Sequence, residues 1–283
     1  MDLTAQIIDA INGWLQGLAA QLLGPSLATA GQLIFSTPAF DGIPEIAAMW
    51  GVVRGIADAL LVLALLAVGI AVMVSAGSDV RYSAKVLVPR VVLAAIWVNA
   101  SLVLCGGLIR LNNAIVELLV GSSGAAAFAD LTSITRTAGV APPLVGALIG
   151  VAAAVLALLL VALYVGRDLV LVLAIVLAPL AVGSLALPAS AELSRTWVRL
   201  FGAVLFVQVV QAVLVVVSLQ VLKHLDWLGP FGSELTSGLV LVTVLYLLLH
   251  LPFMALRWAL QHPAGWTAPI RTSVVAARRA MAA

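Results

Sequence analysis

Long runs of apolar residues alternate with short polar segments along this chain. The runs cover residues 46–76, 91–109, 144–166, 169–188, 200–222 and 239–256. A helix that crosses a membrane needs about 20 mostly apolar residues, a length that these runs reach or approach. The pattern predicts an all-α fold, a polytopic transmembrane helical bundle over residues 44–258.

The first 43 residues follow a different pattern, in which apolar residues recur every three or four positions. They form a face that consists of Leu3, Ile7, Ile11, Trp14, Leu15, Leu18 and Leu22. This spacing predicts an amphipathic helix that lies on the outer membrane surface or against a partner. Gly24 and Pro25 are expected to end the helix, and residues 1–43 are expected to form an external N-terminal segment.

Composition leaves one broad class of protein. The chain has 283 residues, of which 64% are hydrophobic and 9% charged, and its mean hydropathy is +1.21. Soluble globular proteins carry about 25% charged residues, so this chain has too few to cover a surface that faces water. It is therefore predicted to be an integral membrane protein. Its single cysteine, Cys105, excludes an intramolecular disulfide.

Charges are distributed unevenly between the two ends of the chain. The first 53 residues contain no Lys or Arg and four acids, whereas the residues from Arg257 onwards contain four arginines and no acid. Basic segments stay on the cytoplasmic side of a membrane and so set the orientation of the helices. The N-terminus is therefore predicted outside, and residues 259–283 are predicted to form a short basic cytoplasmic tail.

Termini on opposite sides require an odd number of crossings, although the apolar runs number six. If residues 169–188 do not cross fully, ten bases lie inside and three outside. The inner bases are Arg81, Lys85, Arg90, Arg167, Arg195, Arg199, Arg257, Arg271, Arg278 and Arg279, and the outer ones are Arg110, Arg136 and Lys223. If residues 169–188 do cross fully, only five bases lie inside and eight lie outside. Pro179 removes a helix hydrogen bond in this run, so we predict five crossings, one re-entrant or strongly kinked helix, and an external loop at residues 111–143.

Ionisable residues within the apolar runs are costly, at roughly 2.5–3.5 kcal/mol each at the bilayer centre. Arg54 and Asp58 are four residues apart and share a helix face, which allows an ion pair that is either structural or faces a pore or partner. Arg167 and Asp168 are adjacent and about 100° apart around a helix, so they cannot pair well. Arg167 is expected to reach the inner interface or to cap a neighbouring helix.

Uncharged polar residues form stripes on three of the runs. They are Asn99 and Ser101 on the second run, Gln208 and Gln211 on the fifth, and Tyr246 and His250 on the sixth. Such stripes supply interhelical hydrogen bonds, typically about 0.6 kcal/mol each, or line a wet path. The sequence leaves both roles open.

Patterns typical of enzymes are missing from the sequence. It contains no metal-ligand spacing of His, Cys and Asp, no Gly-x-Ser-x-Gly and no glycine loop that would bind a phosphate. We therefore expect a protein that is not an enzyme and has no cofactor.

Two stretches resemble a known family in the order and spacing of their residues. The first contains Tyr82, Lys85, Pro89, Arg90, Asn99, Ser101 and Asn112. The second contains Arg167, Leu171, Leu173, Ala178, Pro179, Leu180, Pro188, Trp197, Phe201 and Gln208. Together they resemble the TrbL-type polytopic subunit of type IV secretion and conjugation machines, over roughly residues 35–222. Five spans, an outside N-terminus and an inside C-terminus are similar to what that family implies.

The resemblance implies an inner-membrane channel or scaffold component of a conjugation-type secretion system. Such a subunit would help to form the conduit for DNA or protein, as a homo-oligomer surrounded by membrane lipid. Its expected partners are the cytoplasmic ATPases and the periplasmic scaffold of the machine. The alternative is a small-solute transporter that uses the Arg54–Asp58 pair and the helix broken at Pro179 as a substrate site.

Overall fold

The computed structural model describes residues 3–74, 78–121, 143–186, 191–223 and 234–261. Nearly all of these residues lie in six α-helices: α1 (Leu3–Phe35), α2 (Pro44–Val74), α3 (Ser78–Val120), α4 (Pro143–Gly183), α5 (Ala191–Lys223) and α6 (Glu234–Gln261). Short 3₁₀ turns lie at Phe40–Gly42 and Ser184–Ala186, and the described ranges contain no strand. The predicted all-α fold is confirmed.

All six helices are long and apolar enough to cross a membrane. Their outward faces carry large apolar side chains, and Leu63, Val103 and Phe206 are each more than half exposed. Contiguous apolar faces of this kind suit lipid or protein neighbours rather than water. The chain is a multi-pass membrane protein, as its composition predicts.

The helix α1 passes through Gly24 and Pro25, which were expected to end it, and has 33 residues in all. Its second half is buried in the bundle, where Leu27 and Ile34 are inaccessible. The apolar face predicted for its first half points away from the bundle, and Trp14 is 67% exposed. The predicted end of this helix at Gly24 and Pro25 is therefore wrong, because α1 continues past both residues and its second half belongs to the core.

Small residues on α4 explain why α1 joins the bundle. A Cβ atom added to Gly150 would lie 3.3 Å from Ala19 Cβ. Ala153, Ala154 and Ala157 are buried on the next turns of α4. Such stripes let two helix backbones approach closely and are typical of helix contacts in membranes. Apolar side chains of α5 and α6 complete this core.

The third and fourth apolar runs form one helix, α4, of 41 residues. It continues without interruption past Arg167 and Asp168 and past Pro179, and it ends at Gly183. Residues 169–183 therefore prolong the same helix and do not form a second, separate one. At about 1.5 Å per residue α4 is about 60 Å long, roughly twice the ~30 Å hydrocarbon thickness of a bilayer.

The helix α3 also runs further than expected. It continues through Arg110 and over residues 111–120, where the external loop was expected to start. Gly121 follows with a φ of 71°, and its N–H donates to the carbonyl oxygen of Glu117 at 2.8 Å. This left-handed cap is typical of glycine. The loop can begin only there, and residues 122–142 lie outside the described part of the chain.

The first two helices run in the same direction, parallel to α4, and an unwound connection of residues 36–43 joins them. For α1, the contacts that show this are Ala19 with Gly150 and, just after the helix, Thr37 with Arg167. For α2, they are Ile46 with the cluster around Leu171, and Ala57 with Gly183.

The remaining helices alternate in direction. Relative to α4, α3 and α5 are antiparallel and α6 is parallel. For α3, the contacts that show this are Val98 with Gly183, and Asn112 with Gln208 opposite Arg167. For α5, they are Trp197 with Ala174 and Gln208 with Arg167. For α6, Gly238 contacts Ile149, and Phe253 lies across a groove from Gly166.

A cysteine pair tests the parallel packing of α1 on α4. In a Cys105→Ala background, the double variant Ala19→Cys/Gly150→Cys should form a disulfide on mild oxidation, because the two Cβ atoms are within bridging range. The control pair Ala19→Cys/Gly166→Cys is separated by about four helical turns and should stay reduced. Gel mobility before and after reduction reports the outcome, and equal cross-linking of both pairs contradicts the packing.

Candidate functional site

Arg167 lies inside the bundle, with its side chain 5% exposed. Its Nη2 donates to Gln208 Oε1 on α5 at 2.9 Å and to Thr37 Oγ1 in the connection between α1 and α2. Arginine keeps its proton in proteins, so a charged guanidinium is enclosed here. Its hydrogen bonds join two other segments of the chain, the helix α5 and the connection between α1 and α2.

Gln208 is fully buried, and its Oε1 accepts hydrogen bonds from three donors. Besides Arg167, they are Thr37 Oγ1 at 2.8 Å and Asn112 Nδ2 at 2.8 Å. The positive guanidinium makes its own hydrogen bond to this oxygen stronger than one between neutral groups. One side chain of α5 thus connects α3, α4 and the connection between α1 and α2.

Asn113 satisfies the backbone of the unwound connection. Its Oδ1 accepts from the Thr37 N–H at 3.1 Å, and its Nδ2 donates to the Thr37 carbonyl oxygen at 2.8 Å. Gln208 Nε2 donates to the same Oδ1 at 3.4 Å. Non-helical backbone among transmembrane helices is stable only where protein groups or water satisfy it. We refer to Thr37, Asn112, Asn113, Arg167 and Gln208 as the Arg167 network.

Part of the guanidinium is left without a partner. Within the described residues, Arg167 Nε and Nη1 and Asp168 Oδ1 make no hydrogen bond, and Nε lies 4.0 Å from Oδ1. The Tyr164 ring centroid is 5.9 Å from Arg167 Cζ, which allows a cation–π contact. Arg167 and Asp168 are adjacent in sequence, so their side chains point in different directions from the helix. The Asp168 carboxylate therefore compensates the guanidinium charge only from a distance.

A second ion pair lies beside the Arg167 network. Asp41, in the Phe40–Gly42 turn, accepts from Arg110 Nη1 at 2.6 Å. Gly106 makes room for this turn, because a Cβ atom there would overlap the Asp41 carboxylate. Arg110 is 55% exposed, so the pair contributes at most about 1 kcal/mol. Its role is to hold the connection against α3.

The predicted pair of Arg54 and Asp58 is not formed between these two described residues. Arg54 Cζ instead lies 5.2 Å from the Trp50 ring centroid, and Asp58 accepts from Asn99 Nδ2 at 3.3 Å. Asn99 also donates to the carbonyl oxygen of Ala95. Arg54 thus contacts an aromatic ring of its own helix, and Asp58 contacts an amide of α3.

The buried Ser101 accepts from Trp50 Nε1 at 3.0 Å and donates to the Val98 carbonyl oxygen at 2.8 Å. Gln211 is fully buried, and its Nε2 donates to the Leu248 carbonyl oxygen on α6 at 2.9 Å. These residues of the predicted stripes therefore make hydrogen bonds within the protein.

Tyr246, His250 and Pro179 lie apart from the Arg167 network. The rings of Tyr246 and His250 stack with centroids 5.8 Å apart on an outward face, where Tyr246 is 54% exposed. Pro179 lies near the end of α4, and the helix continues past it. These three residues do not form one site with Arg167.

Thr37 and Tyr164 were missed from the sequence. Thr37 precedes Pro38 in a segment without periodicity, and only the connection between two parallel helices brings it to Arg167. Tyr164 is one turn before Arg167 on α4, a spacing that could have identified it. Among the described residues no group of His, Cys, Asp and Glu could bind a metal ion. The chemistry of the Arg167 network is hydrogen bonding around one enclosed charge.

Gln208→Leu should lower the free energy of unfolding by about 3 kcal/mol, because it leaves a buried charge and a buried amide without their acceptor. Gln220→Leu is the matched control on the same helix, since Gln220 is exposed; it should change stability by less than about 0.5 kcal/mol. Thermal or denaturant unfolding in detergent measures both.

The double variant Arg167→Met/Gln208→Leu should be more stable than Gln208→Leu alone, because it removes the uncompensated charge as well. Equal stability of Gln208→Leu and the wild type would show that the network is not a stabilising element.

One family model matches the whole chain. The family is described as TrbL/VirB6 plasmid conjugal transfer like protein, and the match covers residues 1–283. No curated protein and no solved structure matches the chain. The match confirms the resemblance seen in residues 35–222 and extends it to the N-terminal helix and to α6. The chain belongs to the TrbL/VirB6 plasmid conjugal transfer family.

Proposed function

We propose that this chain is a non-enzymatic channel or scaffold subunit of a conjugation-type secretion system in the inner membrane. The observation that carries the proposal is the family match over residues 1–283, which includes all six helices. Conjugal transfer systems move DNA or protein across membranes, and a polytopic subunit of such a system is suited to form part of the conduit.

The hydrogen bonds of the buried polar residues support a conduit that lies between subunits rather than through one helical bundle. Gln208, Gln211 and Ser101 are buried and bonded to protein groups, so they serve helix packing. A wet path through one chain would need such groups free to face water. The conduit is therefore shared between copies of this chain or with other subunits of the machine.

The length of α4 supports protein neighbours. An apolar helix of about 60 Å exceeds the ~30 Å hydrocarbon thickness even at the usual tilts. Leu148, Leu158 and Leu173 are each about half exposed at points along its whole length. Lipid tails cover only part of such a face, and a homo-oligomer or a periplasmic scaffold covers the rest. The arginines after Arg257 suit anionic lipid or an acidic cytoplasmic ATPase, at roughly 1 kcal/mol per base.

The helix directions support five crossings with the N-terminus outside. Consecutive helices that run the same way cannot each cross one bilayer, so α1 and α2 together contribute one crossing. The helices α3, α4, α5 and α6 alternate and contribute four more. The ends that carry Arg195, Arg199 and Arg257 then lie on the same side, which the distribution of bases predicts to be the cytoplasm. This topology has the odd number of crossings that the charge distribution predicts. The unwound segment that divides one crossing lies at residues 36–43, between α1 and α2.

The two features that favoured a solute transporter in the sequence are not formed by the described residues. Its substrate site required an Arg54–Asp58 pair and a helix broken at Pro179, but these described residues form other contacts and a continuous helix. Neither feature favours a bound solute.

Deletion of the gene in a donor strain should abolish conjugal transfer while the partner ATPases remain at normal levels. Wild-type and Gln220→Leu copies should restore transfer, whereas Gln208→Leu should restore less, in proportion to the folded protein in the membrane. Mating frequency and membrane immunoblots measure these outcomes. Normal transfer in the deletion strain overturns the proposal.

Single cysteines test the topology in a Cys105→Ala background. An impermeant thiol reagent on intact cells should label Ser133→Cys, in the predicted external loop, but neither Glu192→Cys nor Ser273→Cys. Ser133 and Ser273 lie outside the described residues, and the Glu192 side chain is 67% exposed. All three should react after permeabilisation. Labelling of Glu192→Cys on intact cells contradicts five crossings.

A further inference from the structure

Two ionisable residues of α2, Arg54 and Asp58, are partly exposed at the edge of its outward face. The bundle covers this helix least, because only 17% of its apolar span is buried, the smallest share among the six helices. Large apolar side chains on the same outer surface are each at least half exposed, namely those of Val52, Ile56 and Val62. A cation and an anion thus border an apolar face that the chain itself leaves uncovered.

Both charged groups keep atoms that another molecule can reach. Arg54 lies over the Trp50 ring, and its Nε is buried without a hydrogen bond within the described residues. Its Nη1 and Nη2 also lack such a bond, but they are not buried and stay open to the surroundings. Asp58 accepts from Asn99 through Oδ1, which leaves Oδ2 open. Arg54 precedes Asp58 in sequence, which is the less favourable order for an ion pair within one helix.

Neither lipid nor water is a suitable neighbour for this surface. Lipid offers no acceptor for a guanidinium, and ionisable groups in transmembrane helices face protein or a water-filled cavity. Water is unfavourable beside the apolar side chains around the two charges, because a contiguous exposed apolar patch is typical of a protein contact. The outward face of α2 therefore calls for a protein partner, at whichever depth of the membrane it lies.

The two charges fit a second copy of this chain. A matching surface needs an anion opposite Arg54 and a cation opposite Asp58, and the same face of another copy supplies both. Copies insert into the membrane with one orientation, so the two-fold axis of a pair is perpendicular to the membrane and the two α2 helices run parallel. Asp58 of one copy is then displaced by about 6 Å along the helix from Arg54 of the other, which an arginine side chain can span.

Small residues beside the two charges allow a close approach. Gly51, Gly55 and Ala59 follow one another at intervals of four, and a Cβ atom added to either glycine would meet nothing within 4 Å. At about 100° per residue, both glycines lie on the same side of α2 as the two charges, within an arc of about 100°. Glycines at this spacing are typical of closely packed parallel helix pairs in membranes.

We propose that two copies of this chain associate through α2, with Arg54 of each copy bound to Asp58 of the other. The guanidinium donates through its terminal nitrogens to the open carboxylate oxygen, and Gly51 and Gly55 form the closest backbone contact. Two reciprocal ion pairs make the face self-complementary. The proposal rests on the proposed function in one respect, because a conduit shared between copies needs a face on which they meet.

Charge reversal tests the reciprocal ion pairs. Copies with two different tags are co-expressed, and the fraction of one that co-purifies with the other in mild detergent is measured. Arg54→Asp and Asp58→Arg should each lower this fraction about tenfold, because like charges then oppose each other between the copies. Co-expression of the two variants should restore it, since one copy is then doubly acidic and the other doubly basic. Glu192→Arg, at an exposed position of α5, is the control and should leave the fraction unchanged.

Gly55→Leu tests the close approach without a change of charge. The leucine side chain fits the single chain, because Gly55 is exposed and open to a Cβ atom. It should hold the second copy away and lower co-purification about tenfold. Gly202→Leu on α5 is the matched control, since Gly202 is equally exposed and open and both changes raise helix propensity equally. The control should co-purify like the wild type.

Three results overturn the proposal. Undiminished co-purification of Arg54→Asp or Asp58→Arg alone shows that no ion pair joins the copies. A loss that is repaired only when both changes are in one chain, and not by co-expression, assigns the pair to a contact within the chain. Wild-type copies that do not co-purify, in a system whose transfer is abolished by the deletion, assign the face to another subunit; the proposed function then stands while this inference fails.

Discussion

The hydrogen bonds that Arg167 makes inside the bundle are the interaction on which the rest of the fold depends. A guanidinium enclosed among apolar helices is tolerable only with polar partners around it. The chain supplies Gln208 from α5 and Thr37 from the connection between α1 and α2, while Asn112 shares the same acceptor from α3. Four segments therefore meet around one charge, and their relative heights along α4 are fixed there.

From this follows the unusual course of the first two helices. A polypeptide that leaves the helical conformation inside a bundle exposes an N–H and a carbonyl group, and Asn113 satisfies both for Thr37. The chain can then resume in the same direction as α2 instead of turning back. Gly106 contributes by letting the Asp41 turn approach α3. Sequence, local conformation and topology are linked here by a few side chains.

Much of the fold could be predicted from composition alone, because 64% apolar residues in runs of about 20 leave only membrane helices. The helix ends could not. Three places resembled a helix end, namely Gly24–Pro25, Arg110 and Arg167–Asp168. The helices nevertheless continue through them, because partners elsewhere in the chain or small facing residues stabilise the helix there. Arg167 and Gln208 were identified as polar residues in apolar runs. That they meet could not be predicted, since they are far apart in sequence and Thr37 lies in an aperiodic segment.

The pairing of α1 with α4 has a consequence for biosynthesis. α1 is made first, but the surface that buries Leu27 and Ile34 is completed only after more than a hundred further residues have been translated. Arg167 likewise enters the membrane before Gln208 exists. Until α5 is inserted, the guanidinium has to remain near water or the insertion machinery, because lipid offers it no acceptor. Assembly of this subunit is therefore late and cooperative, dominated by contacts of high sequence separation, which are slow to form.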